Sequence, residues 1–488
     1  MKILFVSSEL SPFAKTGGLG DVSAALPRVL RAAGHDVRVV VPMYARVQAQ
    51  GRVFTEVIPE MRFAMGEHLV RASVYTATLP DSDVPVYFVR CGSLYDRPNL
   101  YDSAGDEHLR FGALNWAALM VCQHLGFSPD IVHANDWQTA LLPLLVQTLF
   151  AWDRRFARTR TVLTIHNLGH QGGFDAGAAA QVGLGPVLGN LHQDELRAGR
   201  FSFLRTGILY ANAITTVSPT YAREILTDEG GVGLADGLRA RRDVLRGILN
   251  GIDDAEWNPA HDPHLPYPYG PEDLSGKERC KSALLASGGL VYRREVPVVG
   301  VVSRLVWQKG FDLCEEVLPG MLRRGGMQLV ALGSGEPRYE SFFRSLAQHF
   351  PRQVVYLSAF SERLAHNIEA GADMFLMPSR YEPCGLNQMY SLRYGTPPIV
   401  HRTGGLADTV ENFDRASGEG TGFVFNHFDA PGLRWAMTRA LEVWGTGTGE
   451  DRARWEVLQR NGMAQALGWQ HRVGEYLALY RQLCPGVE

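Results

Sequence analysis

The sequence predicts an α/β protein built on two doubly wound, mostly parallel sheets, and three observations carry that prediction. Short β-branched runs alternate with amphipathic helical stretches through both halves of the chain. Between the halves, residues 257 to 275 are dense in proline and carry no periodicity, as a linker or crossing loop would be. With 488 residues, the chain also exceeds one ordinary core, so two domains of about 200 to 250 residues are expected.

The first half opens on KILFVS, a buried-strand pattern, followed by the loop KTGGLGDV from Lys15 to Val22. Asp21 is a fair N-cap for the next helix, whose apolar Val22, Ala25, Leu26, Val29 and Leu30 recur at helical spacing until Gly34, with Pro27 inside it. DVRVVV then completes a βαβ unit. LVRASVYTATL and VPVYFVR read as paired strands, and the segment from Asp106 to Leu125 reads as a helix. DIVHANDWQ and TVLTIHNLGHQGG are buried strands that end in polar residues, and AITTVS follows.

After the crossing loop the pattern restarts: VPVVGVVS, a helix from about Phe311, MQLVALGSG, a helix near Tyr339 to Phe350, VVYLSAF, a helix from Glu362, and ADMFLMPS. These strands and helices call for a second parallel sheet, the two domains facing one cleft. The stretch from Pro378 to Val410, PSRYEPCGLNQMYSLRYGTPPIVHRTGGLADTV, gives a loop with Glu382, a short helix from about Cys384 to Tyr394, a strand through Ile399 and Val400, and a Gly404-Gly405 turn. Open α/β sheets bind ligands at carboxyl strand ends, which is where these groups fall.

Composition narrows the classes. Apolar content of 45%, charged content of 20% and a net charge of −3 offer no basic field for nucleic acid and no polybasic run for a membrane surface. No apolar run nears transmembrane length, and Ser7, Ser8 and Glu9 interrupt the first one, so a cytoplasmic protein is expected. Six scattered cysteines without a CxxC pair argue against zinc and against a disulfide framework; Cys384, beside Glu382, is either a reactive thiol or a buried inert one.

Several groups carry candidate chemistry. Arg304 and Lys309, five apart in SRLVWQKG, suit a leaving diphosphate, as a fork and a point charge. Glu382 sits beside Arg380 in a loop that looks too short to hide either. The Gly17-Gly18 and Gly404-Gly405 pairs are phosphate cradles or plain turns, Lys15 favouring the cradle at the first; KTGGLGDV is not the dinucleotide fingerprint. His133, Asn135, Asp136 and Trp137 fit a sugar subsite, the alternative being Asp136 as N-cap of a helix over 137 to 150 with Trp137 in the core. His166 and His170 flank Gly169 without a third ligand at metal spacing, so His166 is expected to hydrogen-bond a ligand rather than bind zinc.

Taken together, KTGGLGDV, HNLGHQG, NGID, SRLVWQKG and the block EPCGLNQMYSLRYGTPPIVHRTGGLADTV resemble, in order and spacing, the bacterial glycogen synthases and plant starch synthases. The resemblance implies a GT-B fold, two Rossmann-like domains closing on a central cleft: residues 1–253 on the acceptor side, joined by a returning helix within 465–488, and residues 254–464 for the nucleotide sugar. It implies retaining transfer of glucose from ADP-glucose to the non-reducing end of glycogen or a malto-oligosaccharide, with no cofactor and no required metal. By motif, Lys15, Gly17, Gly18, Thr403, Gly404, Gly405 and Leu406 would hold the donor diphosphate and Tyr356 would stack on the base. Arg304 and Lys309 would neutralise the leaving phosphate, and Glu382 and His166 would orient the donor glucose. Tyr95, Asp136, Trp137 and Asn167 would meet the acceptor.

Overall fold

The computed structural model describes residues 1–102, 104–359 and 361–487. Phe360, which ends VVYLSAF, and Glu488, which ends the 465–488 segment, lie outside them. The chain divides into two compact units, Met1–Gly251 with Trp469–Glu488, and Ile252–Gly468.

The first unit contains β1 (Lys2–Val6), β2 (Asp36–Pro42), β3 (Thr55–Met65), β4 (His68–Thr78), β5 (Pro85–Arg90), β6 (Ile131–Asn135), β7 (Arg160–Ile165), the short pair β8 (Gly173–Asp175) and β9 (Arg200–Ser202), β10 (Ala213–Thr216) and β11 (Leu245–Gly247). Nine of them form one sheet in the order β11-β10-β7-β6-β1-β2-β5-β4-β3. Pairing is parallel from β11 to β5, whereas β4 runs antiparallel to both β5 and β3. The strand order turns back between β1 and β6, which makes their carboxyl ends a switch point where ligands bind such sheets.

Helix Gly18–Ala32 runs through Pro27 and buries Val22, Leu26 and Leu30. Helix Val473–Leu483 packs against it, and the Tyr480 hydroxyl lies 2.6 Å from Nδ1 of His133 beneath the sheet. The helix expected over 137–150 is broken into a 3-10 turn, Trp137–Thr139, and a helix, Leu142–Gln147. Pro143 is the reason: it lacks the N–H a continuous helix would use, and is tolerated only in a first turn.

The second unit contains β12 (Val298–Val302), β13 (Gln328–Leu332), β14 (Val354–Leu357), β15 (Met374–Met377), β16 (Pro398–His401) and β17 (Phe423–Phe425). All pairs are parallel, in the order β14-β13-β12-β15-β16-β17, and the turn-back lies between β12 and β15. Both faces are covered, as the continuous apolar runs require. Val299 and Val301 join one core with helices Phe311–Arg324 and Ala430–Trp444. Val298, of opposite parity, joins another with helices Ser275–Ser287 and Glu362–Gly371. The helix after Glu382 is shorter than its sequence suggests, Asn387–Arg393.

Candidate active site

In the second unit, the loops that follow β12 and β15 meet at the switch point. Glu382 is buried, only 5% exposed; its loop does hide it, contrary to the expectation from loop length. Its Oε2 accepts hydrogen bonds from Nζ of Lys309 at 2.6 Å and from Oγ of Ser379 at 2.8 Å. The loops are laced further by Arg380 N–H donating to the Gln308 carbonyl at 2.9 Å. Arg380 does not face a ligand: its guanidinium lies between the rings of Trp307 and Phe428, 4.3 and 4.1 Å from their centroids, and donates to Asp312 at 2.7 Å. Arg304, on the β12 loop, is exposed and forms no ion pair among the described residues.

Two glycines make this approach possible. Gly310 has φ +73°, and a Cβ there would stand 2.0 Å from the Pro378 carbonyl oxygen. At Gly404, φ +42°, a Cβ would stand 1.9 Å from the carbonyl oxygen of Glu382. Gly404 and Gly405, which open helix Gly404–Thr409, therefore pack directly against the backbone of the Glu382 loop. The amides there are engaged: Gly405 N–H donates to the carbonyls of Glu382 and Pro383, and Leu406 N–H to that of Thr403, which is buried. A phosphate approaching Gly405 and Leu406 would therefore meet amides that already bond within the protein. Tyr356 stacks on Phe343, centroids 5.6 Å apart, and its hydroxyl donates to the Gly333 carbonyl.

In the first unit, the loops after β1 and β6 stand at the other switch point. Sequence reasoning passed over Glu9, which organises the first. Its buried carboxylate accepts from Thr16 N–H at 2.6 Å, the Thr16 hydroxyl, Gly17 N–H and the Tyr101 hydroxyl. Lys15 pairs with Asp21 at 2.9 Å, so Asp21 holds the lysine of its own loop. Gly17 and Gly18 are exposed; at Gly17 the backbone is extended and a Cβ would meet nothing.

After β6, Asp136 adopts φ +56° and turns its carboxylate to the β7 loop, where Oδ1 accepts from the amides of His166 at 2.6 Å and Asn167 at 3.3 Å. It stands at the N-cap position of the 3-10 turn Trp137–Thr139, but its side chain makes no capping hydrogen bond there. Burial pushes the Asp136 carboxyl up to about 7 against those two hydrogen bonds. Burial pushes the His166 imidazole down to about 3, so the ring is neutral. Its Nε2 lies 3.0 Å from Oδ1 of Asn135, whose amide nitrogen donates to the Val6 carbonyl; the pairing leaves the Nε2–H as donor and Nδ1 as acceptor.

Two acceptor candidates are corrected. Tyr95 is wholly buried and donates its hydroxyl to the Arg110 carbonyl at 2.8 Å, so it has no face for a glucan. Trp137 is buried among Phe111, Phe174 and Phe203, with Gly172 leaving room for its ring, and is a core residue. All six cysteines are buried thiols, Cys384 included.

Comparison with known proteins adds to this geometry. The family described as starch synthase catalytic domain matches residues 2–240, and that described as glycosyl transferases group 1 matches residues 291–457. A glycogen synthase from Anaeromyxobacter dehalogenans (strain 2CP-1 / ATCC BAA-258) is 46% identical, with all of both chains covered. One from Myxococcus xanthus (strain DK1622) is 44% identical over 99% of each. Among solved structures, the catalytic domain of starch synthase IV from Arabidopsis thaliana bound to ADP and acarbose superposes with a TM-score of 0.91, at 34% identity and 99% coverage of both chains.

Proposed function

The chain belongs to the glycogen and starch synthase family of glycosyltransferases and has the GT-B fold, and from that membership we propose that it transfers glucose from ADP-glucose to the non-reducing end of an α-1,4-glucan, retaining the anomeric configuration and releasing ADP. Glycogen or a malto-oligosaccharide is the acceptor, and the cytoplasm is the setting. No described helix is long and apolar enough to cross a membrane.

The observation that carries this reading is the Lys309 ammonium held 2.6 Å from Glu382 on the loop that also bears exposed Arg304. Fixed cations at that point stabilise the negative charge that grows on a departing diphosphate, an effect worth roughly 3 to 4 kcal/mol per well-placed donor. Glu382 then accepts a glucose hydroxyl. Eight residues beyond it stands Tyr390, whose ring stacks on Trp257 with centroids 3.6 Å apart, rather than a second carboxylate. That favours a same-face substitution, in which the acceptor hydroxyl attacks as the donor bond breaks and the departing phosphate oxygen takes its proton.

Within the first unit, Lys15 and the exposed Gly17-Gly18 backbone take a share of the diphosphate, since nothing in the protein itself requires glycine at Gly17. Neutral His166 offers Nδ1 to a sugar hydroxyl, and Asn167 meets another. Asp136 sets the β7 loop through the amides it accepts. Tyr356 faces the base. The ADP in the Arabidopsis starch synthase supports the adenosine nucleotide. The test is glucose incorporation into glycogen from ADP-glucose and UDP-glucose, side by side. Preference for ADP-glucose is expected; preference for UDP-glucose would overturn the donor, and transfer from neither would overturn the reaction.

A further inference from the structure

Outside the Glu382 cluster, the second unit gathers a histidine and three carboxylates where helix Glu362–Gly371 meets the crossing segment after Gly251. Glu362 and His366 are four apart on that helix and therefore share a face. Glu256 comes from the crossing segment, and one ligand atom each from Glu256, Glu362 and His366 lies within 4.8 Å of the others.

The histidine is prepared in a particular way. His366 is 1% exposed, and its Nδ1 lies 2.7 Å from Oδ2 of Asp262. Asp262 also accepts from the Tyr394 hydroxyl at 2.6 Å and from His264 N–H at 2.8 Å, so it is an acceptor throughout and Nδ1 must carry the proton. The ring is clamped flat against Trp257, centroids 3.8 Å apart. Nε2 is left buried with no hydrogen-bond partner among the described residues. Leaving a buried ring nitrogen unsatisfied costs about 1 to 3 kcal/mol, yet two glutamates stand nearby and neither bonds to it.

From this arrangement we infer that Glu256, Glu362 and the Nε2 of His366 form a site for a divalent transition-metal cation, zinc in the first place, that pins the crossing segment to helix Glu362–Gly371. A carboxylate behind Nδ1 fixes the tautomer that presents Nε2 to a metal and raises its basicity. One imidazole with two carboxylates suits zinc better than magnesium or calcium, which take oxygen alone. Metal–ligand distances of about 2.0 to 2.2 Å require the two glutamates to draw in, and both are exposed side chains with several staggered rotamers. The inference is independent of the donor and acceptor assignments, because none of these residues belongs to the Glu382 cluster.

The test uses the full chain, stripped with a chelator and returned to metal-free buffer. Zinc chloride is titrated calorimetrically, cobalt chloride is followed by its visible d–d absorption, and thermal unfolding is read with and without zinc. Wild type is expected to bind one ion with a distinct cobalt band and to unfold several degrees higher with zinc. Glu256→Gln with Glu362→Gln, two exposed changes that leave the His366–Asp262–Trp257 packing in place, should weaken that binding at least tenfold and abolish both the band and the shift. His366→Asn should do the same. Equal zinc binding by wild type and the double variant, or no binding by wild type, would overturn the site.

Discussion

The ammonium of Lys309 and the carboxylate of Glu382 meet at 2.6 Å, both largely shielded from water, with Ser379 on the same oxygen. Such a pair has two separable roles. Removing the cation leaves a buried carboxylate with Ser379 as its one remaining side-chain partner among the described residues, at a cost of about 1 to 3 kcal/mol in stability. Lys309→Ala should therefore unfold earlier and lose turnover by about 10²- to 10³-fold. Adding Glu382→Gln to Lys309→Ala should restore much of the stability and none of the rate. Denaturant unfolding beside initial rates checks this, and recovery of activity in the double variant would remove both residues from the chemistry.

The two glycine turns should respond differently to alanine. Gly404→Ala combines φ +42° with a Cβ driven onto the Glu382 carbonyl, so it should destabilise by more than about 1 kcal/mol and lower turnover with it. Gly17→Ala meets extended backbone and open space, so its stability should hold. If the Gly17-Gly18 backbone approaches the diphosphate, Gly17→Ala raises KM for the nucleotide sugar several-fold. An unchanged KM would make Gly17 a plain turn residue.

Arg380, expected from sequence to lie unhidden beside Glu382, is found as a structural wedge between Trp307 and Phe428. A flat, stacked guanidinium is not replaced by an ammonium. Arg380→Lys should cost about 1 to 2 kcal/mol through the lost cation–π stacking and the disturbed bond to Asp312. Its coupling to Trp307→Ala in a double-mutant cycle should be measurable by denaturant unfolding, whereas strict additivity would deny the wedge.

How legible each part was follows from the range of its determinants. Both parallel sheets were readable because strands buried on two faces are continuous apolar runs bounded by glycine loops, as in KILFVS and VPVVGVVS. Strand β3 was not, since Pro59 interrupts its alternation and the pairing with β4 shifts register around Ile58. Helix Ser275–Ser287 was hidden behind the proline-rich segment, with Lys277 and Lys281 buried on the face a sequence reading would give to solvent. Within the site, the residue types at strand ends were visible, but their pairing was not. Glu9 gripping Thr16, or Trp137 turned into the core rather than toward a sugar, depends on side-chain direction that no local pattern encodes.

Asp136 gives the site a pH dependence with a definite sign. Its carboxyl stands at about 7 in the folded protein, raised chiefly by burial, against 3.8 for the ordinary group. A raised acid binds its proton more tightly when folded, so its contribution to stability is full below about pH 4 and is lost as pH rises through about 7. His133 and His166, both pushed down by burial to about 3, have the opposite sign: folding excludes their protons, so they add stability as pH rises from about 3 toward 6.5. Asp136→Asn keeps an oxygen for the amides of His166 and Asn167 and removes only the titration. The two histidines are common to both proteins and cancel in the difference. The variant should therefore gain on wild type between about pH 4 and pH 7, by on the order of a few kcal/mol, and the gain should level off above that range. Denaturant unfolding of both proteins at intervals across it reads the slope directly. A difference that stays flat with pH would mean that the carboxyl titrates as an ordinary aspartate, and that the β7 loop is not held by a carboxylate kept half-neutral at working pH.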